Sequence, residues 1–95
     1  MKRYFKCEVN DAGLGTGVTY VEFEDEWPTR QVEIYGGRWY SSLEDYHPDL
    51  GPGLADQPLS TMGLGSEDEI SVSEFEQVWL EAVRKHEQES GSDLK

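Results

Sequence analysis

The chain has one cysteine, only eight lysines and arginines, and no long apolar run. Each shortage removes a class of explanation. With Cys7 alone, no disulfide can close within the chain, so a small fold must be held by its core. Cys7 falls on the apolar phase of a strand-like run, where a buried inert thiol is the default. It has no second thiol and no adjacent activating base. No stretch reaches the length that spans a bilayer. The opening "MKRYFKCEVN" carries charge but lacks the apolar segment of a signal peptide. A reducing, cytoplasmic setting without membrane contact is therefore expected. Twenty Asp and Glu stand against the eight bases, a formal net charge of −12. Such a domain repels phosphate backbones, which excludes nucleic acid as a partner. A basic protein or a cation is favoured instead.

What the chain does have is aromatics: three Trp, five Tyr and three Phe in 95 residues. High net charge with a mean hydropathy of −0.71 points toward disorder when apolar groups are scattered. Here they fall in patterned runs. The length suits one small domain, placed at residues 1–89, with "SGSDLK" at 90–95 as a disordered polar tail.

Four runs alternate with the period of a strand. "RYFKCEV" sets Phe5, Cys7 and Val9 against Tyr4, Lys6 and Glu8. "VTYVEFED" sets Thr19, Val21 and Phe23 against Tyr20, Glu22 and Glu24. Between them "NDAGLGTG" reads as a flexible hairpin loop. A strand rather than a helix follows its glycines, so it is not a phosphate-cradling fingerprint. Pro28 marks a turn or a strand edge. "RQVEIY" then turns Val32 and Ile34 inward. Gly36-Gly37 suits a two-residue type I′ turn, which needs positive φ at both positions. That turn sets Tyr35 opposite Arg38, Ile34 opposite Trp39, Glu33 opposite Tyr40 and Val32 opposite Ser41. A slip of one residue would oppose polar to apolar.

Residues 44–66, "EDYHPDLGPGLADQPLSTMGLGS", hold three of the four prolines and four of the ten glycines. Loops of this length are functional, drape over the body or stay disordered. Tyr46, Leu50, Leu54, Leu59, Met62 and Leu64 predict that part of it packs on the body. In "EISVSEFEQVWLEAVRKHEQES", Ser71 and Glu74 form a capping box, and Ile70 and Phe75 a hydrophobic staple. Phe75, Val78, Trp79, Ala82 and Val83 make one apolar helix face.

The expected fold class is α+β: a four-stranded antiparallel meander with one C-terminal amphipathic helix packed on one face. Phe5, Val21, Phe23, Val32, Ile34 and Trp39 would meet Phe75, Val78, Trp79 and Val83. The reverse face would then carry Tyr4, Tyr20, Tyr35 and Tyr40, with Glu22, Glu33 and Arg38 among them. Rings on a sheet stabilise it by cross-strand pairing, by up to about 1 kcal/mol a pair, or lie under a loop. They also serve recognition, because Tyr joins large contact area to a hydroxyl. Carboxylates around them would steer a basic partner. The candidate partner-binding set is Tyr4, Tyr20, Glu22, Glu33, Tyr35, Arg38 and Tyr40.

No catalytic residue, metal or cofactor is expected. His47 and His86 lack ligand spacing, and neither "EFEDE" nor "SEDE" has the twelve-residue pattern of a calcium loop. The expected function is a non-enzymatic acidic interaction domain that binds a basic protein through the open sheet face and the long loop. It would act as an adaptor, or as an immunity protein capping a basic nuclease. The alternative is a small-molecule-binding α+β domain with a pocket between the long loop and the sheet.

The "RQVEIY" strand, the Gly-Gly turn, "RWY", the connector "QPL" and the "EIS…EFEQVW" helix start resemble a family of small acidic bacterial domains of unknown function. The likeness covers residues 2–83. It implies a bacterial source and the same α+β layout, and it carries over no catalytic residue. "NDAGLGTG" and "MGLGSEDE" match no shared pattern of that family.

Overall fold

A computed structural model describes residues 1–92. Strands β1 (Lys2–Asp11) and β2 (Gly15–Glu24) pair antiparallel over their whole length, from Lys2 opposite Glu24 to Asp11 opposite Gly15. Most of "NDAGLGTG" is therefore ladder rather than loop. The Asp11 carboxylate closes the short connection, accepting from the Gly13 and Leu14 amides at 2.8 and 2.9 Å. Gly17 lies beneath Tyr35. A Cβ there would meet the Ile34 carbonyl and stand 2.5 Å from Tyr35 Cδ1, so no larger residue fits this strand position.

Strand β3 (Trp27–Tyr35) pairs with β2, and β4 (Arg38–Ser41) with β3 in the register the turn predicts. Of the two turn glycines only Gly36 takes positive φ, at 63°. That is the pattern of a type II′ turn rather than I′, and it has the same length and so the same register. Between Glu22 and Phe23 the β2–β3 register shifts, with Glu22 opposite Arg30 and Phe23 opposite Pro28. Thr29 is the extra residue, and Pro28, which has no N–H to give, sits beside this bulge.

Two short strands, β5 (Tyr46–His47) and β6 (Gly51–Pro52), pair with each other inside the long loop. A further strand, β7 (Glu69–Ile70), adds to β1 opposite Phe5 and Tyr4. The main sheet thus has five strands, in the order β4-β3-β2-β1-β7, not the four of the expected meander. A two-residue strand is too short to show a period. Helix α1 (Val72–Ser92) follows, capped by Ser71, whose Oγ accepts from the Glu74 amide at 3.1 Å. Of the expected tail, 90–92 continue the helix backbone and 93–95 lie outside the described residues.

The sheet is covered on both faces. On the helix face, Tyr4, Tyr20, Val32, Phe75 and Ala82 are buried together, flanked by Ile34, Trp39, Val78 and Trp79. On the reverse face, Phe5, Val21 and Phe23 are buried against Leu59, with Met62 and Leu64 beside them. This corrects the expected layout. Val32, Ile34 and Trp39 do lie under the helix. Phe5, Val21 and Phe23 face the loop, and Tyr4 and Tyr20 take their place under α1. The register decides it: Tyr20 stands opposite Val32, and opposed residues share a face.

Candidate functional site

This layout turns three of the seven candidate residues toward the helix instead of onto an open face. Tyr4 and Tyr20 are core residues, and the Tyr4 ring lies 5.2 Å from Phe75. Glu22 is 1 % exposed and is held by Arg30 at the helix–sheet boundary. All three are largely covered while α1 is in place.

The other four share the loop face, brought there by β3, the Gly-Gly turn and β4. The Tyr35 hydroxyl donates to Glu33 Oε1 at 2.7 Å, and Gln31 Nε2 donates to Glu33 Oε2 at 2.6 Å. Burial first, then the neighbouring Glu33, pushes the Tyr35 phenol far above its ordinary value, so it stays a donor. The Tyr40 ring meets Tyr35 edge-on at 6.1 Å and His47 at 5.1 Å. His47 is buried and its Nε2 lies 2.8 Å from the Ser41 carbonyl. Arg38 is exposed and lies 3.7 Å from Asp49. The long loop therefore covers the Tyr40 end of this face as well as the Phe5–Phe23 end.

Between these two covered ends a groove of about 370 Å³ remains. Its floor is Cys7, Thr19, Val21 and Gln31, its loop wall is Met62 and Leu64, and Glu33 and Glu8 stand at its sides. The loop is tied over it by the Ala55 amide, which donates to Gln31 Oε1 at 2.8 Å. Cys7, Thr19 and Gln31 were not among the expected site residues, because alternation marked them only as strand positions. Leu59 and Met62 did carry a signal: residues three apart on one 3₁₀ turn (Leu59–Thr61 and its cap Met62) project to the same side.

The charged side chains lining the groove, Glu8 and Glu33, are both carboxylates. Both Glu33 oxygens are met by neutral donors, and among the described residues no Lys or Arg lies within ion-pair distance of Glu33. The Cys7 thiol is raised above its ordinary value, chiefly by burial and then by Asp68 and Glu33, so it is held protonated and unreactive. Among the described residues no three His, Cys, Asp or Glu side chains are grouped to hold a metal ion, and no helix is long and apolar enough to cross a membrane. No family model, curated protein or solved structure matches the chain.

Proposed function

We propose that this chain is a non-enzymatic acidic interaction domain that takes a basic segment of a partner protein into the groove between its long loop and its sheet. One observation carries the reading: a half-buried carboxylate, Glu33, faces an apolar-walled groove with only neutral groups bonded to it. A Lys or Arg entering there gains a charge-assisted bond at a site of reduced dielectric. The net charge of −12 adds long-range attraction that speeds encounter.

The test is calorimetric titration with a capped lysine-rich peptide at two NaCl concentrations, about 50 and about 500 mM. Binding should weaken steeply with salt, and Glu33→Gln should weaken it about tenfold at low salt. Equal affinity in Glu33→Gln, or affinity indifferent to salt, would overturn the reading. A groove of about 370 Å³ also lies within the size range of small-ligand sites, roughly 300–1,000 Å³. A neutral small ligand would raise the melting temperature at either salt concentration, and that outcome would favour this second reading.

A further inference from the structure

Strand β1 is ten residues long and pairs along all of it with β2, yet β7 covers only Tyr4 and Phe5 on its other edge. Ahead of Glu69 a 3₁₀ turn, Ser66–Asp68, ends the strand pairing while staying in contact with β1. From Lys6 to Asp11, among the described residues, no strand lies beside β1 on that edge, and no further backbone hydrogen bond reaches it. In an antiparallel ladder every second residue points its N–H and C=O away from its partner strand. This stretch therefore presents a row of unmet donors and acceptors. The opposite edge of the sheet is protected. There β4 has four residues, and its Ser41 carbonyl is met by His47 Nε2 and by the Glu44 amide at 3.3 Å.

The free edge is flanked on both faces. On the loop face it borders the groove through Cys7 and Val9, with Met62 and Leu64 beyond. On the helix face it borders a depression of about 400 Å³ lined by Lys6, Glu8, Val18, Asp68 and the largely buried Tyr20. An added strand alternates its side chains between two such faces. One set would meet the groove, with its apolar walls and Glu33, and the other would meet Glu8 and Asp68 beside Lys6.

We infer that Lys6–Asp11 is a docking edge, at which an extended partner segment of alternating apolar and basic residues joins the sheet as a further strand. Its loop-face side chains enter the groove, apolar ones against Met62 and Leu64 and a Lys or Arg at Glu33, and its helix-face Lys or Arg side chains reach Glu8 and Asp68. The inference rests on the basic-partner reading above and adds the manner of binding. A second copy of this chain fits the edge poorly. Each copy carries −12, and symmetric antiparallel pairing centred on Glu8 would oppose the two Glu8 carboxylates directly.

Three peptides test it in calorimetric titrations with the full chain: a capped peptide of alternating Lys and Val, a twin N-methylated at every Val, and a twin N-methylated at every Lys. Side chains and charge are the same in all three. Only one of the two amide sets faces β1 in an added strand. One twin should therefore lose about tenfold or more in affinity while the other stays within about twofold of the parent. Hydrogen exchange with the parent bound should slow at alternate amides of Lys6–Asp11. If both twins bind as the parent does, or both lose affinity alike, edge pairing is overturned, although salt-sensitive binding of the parent would still support the groove. If the parent itself does not bind, the basic-partner reading falls and this inference falls with it.

Discussion

Glu22 is linked to the helix through Arg30. It is 1 % exposed, and a carboxylate so placed is costly unless its oxygens are met. They are. Arg30 donates through Nε to Oε1 at 2.9 Å and through a terminal nitrogen to Oε2 at 2.6 Å, and Thr29 Oγ1 donates to Oε1 at 2.7 Å. The same guanidinium reaches Glu76 on α1 at 2.6 Å and lies about 5 Å from the Phe75 and Trp79 ring centres. It thus ties the bulged strand to the helix. The Arg30 hydrogen bonds, and after them that of Thr29, hold the Glu22 carboxyl at about 2 against a burial effect of the opposite sign. The ordinary value is 4.5. The folded state therefore binds this proton less readily than the unfolded chain. Its contribution is complete above about pH 4.5 and is lost as pH falls toward 2, and a shift of this size amounts to about 3 kcal/mol. Urea midpoints across that window should fall more steeply for the native chain than for Glu22→Gln. Arg30→Ala, which leaves the carboxylate buried and unpaired, should cost about 3–5 kcal/mol at neutral pH. Parallel pH profiles for native chain and Glu22→Gln would show that the pair contributes nothing.

Among the elements, the β3–β4 hairpin was legible because two constraints agree. A two-residue glycine turn fixes the register, and Val32, Ile34 and Trp39 are apolar on one parity only. The cap at Ser71 was legible for a similar local reason. The phase of β1 and β2 was not. Tyr4 and Phe5 are adjacent and both buried, as are Tyr20 and Val21, so alternation there names two covered faces without saying which meets the helix. Three site residues were misplaced for that reason alone, and the groove floor went unremarked. The second cover is the loop, and Leu59 is its anchor. Its side chain enters the Phe5–Val21–Phe23 cluster, and its amide donates to the Glu26 carbonyl at 2.7 Å. Leu59→Ala should cost about 2–5 kcal/mol where the site cannot collapse. Because the contact lies between loop and sheet, the loss should be local. Exchange of the Leu59 and Met62 amides should accelerate far more than that of the α1 amides around Phe75 and Ala82. Equal acceleration in both would mean that the loop and helix layers open as one unit.

At the scale of the whole molecule, charge acts in two opposed ways. Of eight Lys and Arg, six already lie within 4.0 Å of a carboxylate: Lys2, Arg3, Arg30, Arg38, Arg84 and Lys85. Lys6 lies over the Tyr20 ring instead. The bases are thus largely spent on internal pairs, and the many remaining carboxylates repel one another across a small surface. Exposed pairs such as Arg38–Asp49 and Lys85–Glu81 contribute only about 0–1 kcal/mol each, too little to outweigh repulsion of that extent. Sodium chloride screens both, with a Debye length near 8 Å at about 0.15 M. It should therefore stabilise this fold. Between low salt and about 0.5 M the melting temperature should rise by roughly 5 °C, or about 1 kcal/mol. Chloride rather than sulfate is the salt to use, because sulfate also strengthens apolar burial. Over the same range, affinity for the lysine-rich peptide should fall, since under the proposed function the field that strains the free protein is the one that draws a basic segment in. A melting temperature that drops with salt would mean the internal pairs outweigh the repulsion, and the excess acid would then no longer count as charge held in reserve for a partner.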